Sequence, residues 1–355
     1  MELNNKQKAI INNPSKLKIV VAGAGTGKTT TLISAAESVK HNRIALITFT
    51  NESANEIYKR LSFVPAFIGT IHKFSLLLLV DLSTKYNFKL NLLRNHQVIK
   101  IIRRLMEEMY FNSDEIKECT EFILNKSAYL AEHLTPPSYF NDVEEEYIKY
   151  KRKIGLYDMT DTPLYLLEKM KMYDLNLNYT NLFVDEGQDL SPDQYELIIK
   201  LPIDNKFIIG DPAQSIYMFR GADGQVFDKF KEEGYSSFNL DDNYRSYQEI
   251  LNYCNSGLNA IKGYGGRIYT RLDELLNKKP QVLCRSNLDV ERIKEVYPYV
   301  STIHAAKGLE YNNVLIISFP ITSLEEKNIM YVAKTRAIKG LGIFTLKNFL
   351  NYLKK

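Results

Sequence analysis

Glycines at positions 23, 25 and 27 are followed at once by Lys28, Thr29 and Thr30, and this run comes directly after the apolar stretch 17–22. A buried strand, a glycine-rich turn and an amphipathic helix in that order make a phosphate-binding loop, with Ala22 standing where the strict pattern has glycine. Glycines let backbone N–H groups close around phosphate oxygens, and the helix that follows turns its positive end to the same anion. In such a loop Ala24, Gly25, Thr26 and Gly27 line the phosphates. Lys28 reaches the β- and γ-phosphates, and Thr30 follows Thr29, whose hydroxyl is a Mg²⁺ ligand.

Taken alone, the loop means only that a nucleoside triphosphate binds, since kinases, GTPases and motors share it. A second motif narrows the chemistry. Leu182, Phe183 and Val184 run into Asp185 and Glu186, two carboxylates at the end of an apolar strand. Asp185 can hold the hydrated Mg²⁺, and Glu186 can face the attacking water as general base. Consecutive carboxylates in that place suit hydrolysis.

These groups must be held by a scaffold, and the hydrophobic pattern describes one. Short runs rich in β-branched residues alternate with longer amphipathic stretches, the rhythm of an α/β fold built on parallel sheets. Expected strands fall into two groups: 17–22, 43–48, 66–69, 181–185 and 206–210, then 281–284, 300–303, 314–319 and 341–345. Between the third and fourth the pattern turns helical, with Val98, Ile101, Ile102, Leu105 and Met106 forming one apolar stripe. Thr135, Pro136, Pro137 and Ser138 separate one helix from the next. The expected division is a first α/β domain at 1–78 and 180–232, a helical insertion at 79–179, and a second α/β domain at 233–355.

The segment Asp185-Glu186-Gly187-Gln188-Asp189 resembles the DExQD box of superfamily 1 helicases of the UvrD, Rep and PcrA group, and further motifs of that group follow in order. Residues 3–10 resemble the glutamine motif; 47–51 with Ala54, and 69–74, resemble two DNA-contact motifs. The most specific match, 209–222, is similar to GDxxQSIYxxRGA. Residues 240–246, 282–287, 303–311 and 330–337 resemble the remaining motifs, so the likeness runs from Leu3 to about Phe344. It implies two RecA-like P-loop domains with ATP and Mg²⁺ between them. By the same resemblance Gln7 reads the adenine edge, Tyr244 stacks on the base and Glu310 belongs to the nucleotide site. Gln214 touches the γ-phosphate, and Arg245 and Arg336 stabilise the transferring group from the second domain. Phe49, Asn51, Thr70, His72, Phe219, Arg220, Thr302 and His304 are the implied DNA contacts.

Three positions depart from the family pattern: Gly187 replaces an aromatic, Phe219 a tryptophan and Lys334 a small residue. A larger departure lies between Asn287 and Ser301, where thirteen residues stand in place of the large helical insertion of UvrD and Rep. The function expected is ATP-driven translocation along single-stranded DNA, 3′ to 5′, with strand separation, in replication, repair or recombination. Single strands and single/double-strand junctions are the expected partners, and the resemblance leaves room for single-strand-binding or replication and repair proteins. Two alternatives stand beside it: a translocase that strips proteins from DNA, and an ATP-gated DNA-binding recruitment module. Composition excludes little else. The formal charge of +4 on 46 basic and 42 acidic residues permits a nucleic-acid partner without arguing for one. Cys119, Cys254 and Cys284 lack metal-ligand spacing and suit a reducing, cytoplasmic location. No apolar run reaches membrane-spanning length.

Overall fold

The computed structural model describes residues 2–124, 137, 139–216 and 225–353. Among them, one parallel sheet has the order β3-β2-β4-β5-β1-β6, from Phe67–Thr70 (β3), Ile44–Thr48 (β2), Asn181–Val184 (β4), Asn205–Gly210 (β5), Leu17–Ala22 (β1) and Ser236–Leu240 (β6). Both faces are covered. Ile19, Ala45, Ile47, Leu182, Val184 and Ile208 pack on one side, and Val20, Ala22, Ile44, Leu46, Phe183, Phe207 and Ile209 on the other. That alternation explains why these strands read as continuous apolar runs.

The helix starts are set by local chemistry. Helix α1 (Asn5–Asn12) opens with a reciprocal capping box between Asn4 and Gln7. Helix α2 (Lys28–Ser38) begins after Gly27 in left-handed geometry, at φ 83°. Helices α3 (Asn51–Arg60) and α4 (Ile71–Tyr86) are capped by the Thr50 and Thr70 hydroxyls at the ends of β2 and β3.

The helical insertion is narrower than expected. Helices α5 (Asn95–Glu108), α6 (Ser113–Leu124) and α7 (Tyr139–Ile154) share a separate core of Val98, Ile102, Met106, Cys119, Phe122, Phe140, Val143 and Tyr147. By contrast, α4 and α8 (Thr162–Met170) send Leu79, Leu82, Tyr165, Leu166 and Leu167 into the first sheet domain's core. The neck of the insert is closed by backbone bonds from Leu93 N–H to Tyr157 O (2.7 Å) and from Tyr157 N–H to Asn91 O (2.9 Å). Of the expected helix break at 135–138, only Pro137 falls within the described residues.

Beside that neck lies a buried ionic cluster. Lys151, 4% exposed, donates to Asp158 Oδ2 (2.5 Å) and Asp161 Oδ2 (2.6 Å), with its ammonium 4.6 Å from the Tyr147 ring centre. Tyr147 and Thr160 complete the shell around Asp158.

The first domain also extends past the expected boundary at 232, because β6 (236–240) pairs with β1 rather than opening the second domain. After it, the short strands Asp242–Asn243 (β7) and Asn259–Ala260 (β8) pair with each other. The second sheet is parallel throughout, with the order β11-β10-β12-β13-β9. Its strands are Val300–Thr302 (β11), Gln281–Cys284 (β10), Tyr311–Ile317 (β12), Ala337–Phe344 (β13) and Arg267–Tyr269 (β9). The thirteen residues between Asn287 and Ser301 hold most of one short helix, Asn287–Lys294, and the turn into β11.

Candidate nucleotide cleft and strand-binding face

The phosphate-binding loop leaves the C-terminal end of β1 between two left-handed glycines, Gly25 (φ 68°) and Gly27 (φ 83°). A side chain at Gly25 has no place: its Cβ would stand 2.6 Å from Arg245 Cβ and 2.7 Å from Asn243 Nδ2. The second domain also grips the loop from outside. Asn243 Nδ2 donates to Ala24 O (2.5 Å) and Tyr244 N–H donates to Gly25 O (2.8 Å). Asn243 Oδ1 in turn accepts from the Arg245 and Ser246 amides, so one buried side chain sets both the loop and the Tyr244–Arg245 segment.

At the end of β4, Asp185 is 7% exposed, and Glu186 beside it is half-buried with a left-handed φ of 52°. Burial and the neighbouring Glu186 charge push the Asp185 carboxyl up, against the opposing charge of Lys28. Burial would also raise Glu186, but Lys28, Lys307, the Gln188 hydrogen bond and Arg336 together hold it below the ordinary range. The Lys28 ammonium donates to Ala22 O (3.2 Å). A divalent cation bound to nucleotide phosphates fits the oxygen donors here, the buried Asp185 carboxylate and the Thr29 hydroxyl at the first turn of α2, with the Lys28 ammonium left to the phosphates.

The second domain closes the cleft. Arg336, 1% exposed, donates through Nη2 to Gln214 Oε1 (3.0 Å), while Gln214 Nε2 donates to Asp211 Oδ2 (2.6 Å). Burial and the nearby Arg245 push the Arg336 guanidinium down to about 9. Arg245 donates to Glu310 Oε2 (2.8 Å) and Thr335 O (3.3 Å). Lys28, Asp185, Glu186, Gln214, Arg245 and Arg336 are therefore brought together at the boundary of the two domains.

Several expected residues sit differently. Gln7 is 3% exposed and its amide is already committed: Oε1 accepts from Asn4 N–H, and Nε2 donates to Thr31 Oγ1 (3.0 Å) and Thr26 O (3.4 Å). It braces the loop against α1 and presents no free edge to a base. Glu310 is engaged with Arg245 rather than standing alone. Thr302 and His304 are 6% and 7% exposed; Thr302 Oγ1 accepts from Ala305 N–H, so both side chains face inward and Ala305 is what the turn presents.

Phe49, Asn51, Thr70 and His72 do gather at the ends of β2 and β3. Exposed Lys73, which sequence reasoning missed, donates to Asn51 Oδ1 (2.7 Å) and adds positive charge there. Burial pushes the His72 imidazole down, against the opposing charge of Asp158. Phe219 and Arg220 lie outside the described residues. Of the departures from the family pattern, Gly187 has a plain cause: a Cβ there would stand 2.4 Å from Ile208 Cγ2. Lys334 holds its ammonium 4.9 Å from the Tyr253 ring centre.

Two parallel-sheet domains, with a phosphate-binding loop on one and the buried Arg336 and half-buried Arg245 from the other, define a P-loop nucleotide-binding protein with two RecA-like domains. A family model described as UvrD/REP helicase N-terminal domain matches residues 3–234, and one described as viral superfamily 1 RNA helicase core domain matches 156–345. The chain belongs to the UvrD/REP helicase family. Among curated relatives, DNA helicase II of Haemophilus influenzae is 30% identical over 71% of this chain and 40% of its own length. Gabija protein GajB of Bacillus cereus is 31% identical over 67% of this chain and 45% of its own. ATP-dependent DNA helicase Rep of Buchnera aphidicola is 28% identical over 89% and 54%. The chain thus spans about half the length of the curated relatives it matches.

Proposed function

We propose that this protein hydrolyses ATP to move along single-stranded DNA, 3′ to 5′, and to separate duplex ahead of it during DNA replication, repair or recombination. The observation that carries this reading is the interdomain cleft, where Arg245, Gln214 and Arg336 meet the loop of Lys28 and the carboxylates Asp185 and Glu186. Phosphoryl transfer to water depends on positioning and charge stabilisation, and two arginines opposite a lysine provide it. Mg²⁺, when bound between Thr29, Asp185 and the phosphates, would neutralise their developing charge. Glu186 would take the proton of the attacking water, while Tyr244 would flank the base. Gln214, bonded to Arg336 across the boundary, links the phosphate site to the second domain, so γ-phosphate loss can reopen the cleft. Phe49, Asn51, Thr70, His72 and Lys73 support a strand path over the ends of β2 and β3; sequence-tolerant stacking and phosphate contact suit a motor.

The test is ATPase activity with and without single-stranded DNA, together with unwinding of duplexes carrying either a 3′ or a 5′ tail. Stimulation by DNA and preference for the 3′ tail are expected. ATPase indifferent to DNA, or unwinding confined to 5′-tailed duplex, would sink the proposal.

A further inference from the structure

The face of the first sheet that carries α1 and α2 holds a cavity of about 200 Å³ at the N-terminal ends of β1, β4 and β5, the length of β1 away from the phosphate-binding loop. Strand register explains its walls. Phe183, Phe207 and Lys18 are direct partners across β4, β5 and β1, so their side chains stand in one row on one face, with the Phe183 and Phe207 rings 5.8 Å apart. Asn181 and Asn205 form the next row outward. Ile11 from the last turn of α1 and Val39 from the end of α2 line the cavity from the helix side. Its rim is preformed: Asn13 Oδ1 accepts from Ser15 N–H (2.9 Å), and Ser15 Oγ donates to Leu17 O (2.9 Å).

Two polar groups on these walls lack the partner their chemistry calls for. Lys18 Nζ donates only to carbonyl oxygens, Ile10 O (3.2 Å) and Ile11 O (3.4 Å), and among the described residues no carboxylate lies within ion-pair distance of it. Burial holds its ammonium below the ordinary value, with no opposing acid to raise it. Asn181 is 7% exposed. Its Oδ1 accepts from Asn42 Nδ2 (3.0 Å) and Thr180 Oγ1 (3.0 Å), which fixes the amide orientation and leaves Nδ2 without a protein acceptor among the described residues. Neighbouring charges do not compete: Asp204 faces Lys16 (3.4 Å), and Lys206, alternate to Phe207, sends its ammonium to Ile199 O beneath the other face.

We propose that this cavity is a binding site for a small planar acid, a single aromatic ring with a carboxylate at one end and a hydrogen-bond acceptor at the other. Lys18 on β1 and Asn181 on β4 are two strands apart, roughly 10 Å across the sheet, and Phe207 lies on the strand between them. The carboxylate pairs with Lys18, the ring lies against Phe207 and Phe183, and the far acceptor takes the Asn181 amide. A volume of about 200 Å³ is below the roughly 300–1,000 Å³ of sites for drug-sized ligands, which limits the ligand to one ring. A lysine that merely capped the carbonyls of α1 would need neither the aromatic row nor the free amide.

The probe is para-hydroxybenzoate, titrated into the full chain with binding read by ligand-observed NMR; para-hydroxybenzyl alcohol is its uncharged counterpart. A dissociation constant on the order of 10⁻⁴ M is expected for the acid, and the alcohol should bind at least about tenfold more weakly. Backbone amide signals of Lys18, Asn181 and Phe207 should shift on binding, and saturating ADP should leave the affinity within about twofold. Lys18→Met should weaken the acid by about tenfold or more and leave the alcohol unchanged, whereas Lys18→Arg should retain most of the affinity. No binding at about 10 mM overturns the site, as does equal affinity for acid and alcohol, displacement by ADP, or undiminished affinity in Lys18→Met. Comparing acid with alcohol needs only wild type, so the proposal can be refuted even where Lys18→Met fails to fold.

Discussion

Replacing Lys151 by methionine tests whether the ionic cluster at the insert's neck holds the insert to the core. Methionine keeps most of the buried stem, so the loss is the ammonium and its two charge-assisted hydrogen bonds to Asp158 and Asp161. Bonds of that kind contribute about 1.5–3 kcal/mol each, and removing one partner of a buried pair costs about 3–5 kcal/mol. Asp158 would keep its donors from Tyr147 and Thr160, and Asp161 its donor from the Asp158 amide, so the expected loss is near the lower end, about 3 kcal/mol.

The pH dependence has a definite sign. Burial pushes Asp158 up, but the charge and hydrogen bond of Lys151 hold it below the ordinary carboxylate range, while burial and Asp158 keep Asp161 above it. Without the lysine both folded-state values rise above the unfolded value. The folded state then binds more protons than the unfolded one, and its stability falls as pH climbs above about 4. The penalty of the variant should therefore be large at pH 7 and shrink towards pH 5. Urea denaturation at several pH values, with hydrogen exchange at α5–α7 to localise the effect, measures both. A loss under about 0.5 kcal/mol at pH 7, or a penalty that grows towards pH 5, would refute the reasoning.

Glu186→Gln should retain ATP and DNA binding but lower turnover by a factor on the order of 10² or more in single-turnover assays; near-normal turnover would remove Glu186 from its role. Lys28→Ala should weaken nucleotide binding itself, seen as a right-shifted titration with a fluorescent nucleotide; unchanged affinity would contradict the phosphate contact. The buried Lys206 ammonium, pushed down to about 8, donates to Ile199 O at the end of helix Pro192–Lys200. Because its folded value lies below the unfolded one, wild type gains stability from this group as pH rises from about 8 to about 10. Lys206→Met should lack that gain, and denaturation curves with parallel pH dependence would count against it.

The phosphate loop and the acidic pair were legible because each is a contiguous run whose strand, turn and helix are all local. Of the four strands not anticipated, β7 and β8 are two residues each, too short for a pattern, and β6 and β9 lie at sheet edges, where one side needs no apolar partner; Ser236-Ser237-Phe238-Asn239-Leu240 and Arg267-Ile268-Tyr269 carry little of the pattern. The insert's limits were blurred for another reason. Helices α4 and α8 are as apolar as its own helices, and only packing reveals that they serve the sheet. In the site, Gln7 looked available because its bonds to Thr26 and Thr31 close only on folding. Lys307 and Asp189, whose side chains pair at 2.6 Å from 118 positions apart, give no joint signal in the sequence.

The neck at Asn91, Leu93 and Tyr157 has a practical corollary. Parallel bridge partners such as Leu92 and Tyr157 lie roughly 5 Å apart across the ladder, so the excursion between them begins and ends at almost one point. A splice of two or three small residues could rejoin the chain there, and the excised stretch carries a core of its own. Grafting and swapping such a cassette between homologous frameworks is therefore geometrically cheap, provided the acidic residues left behind at 158 and 161 are given a new cation or neutralised with it.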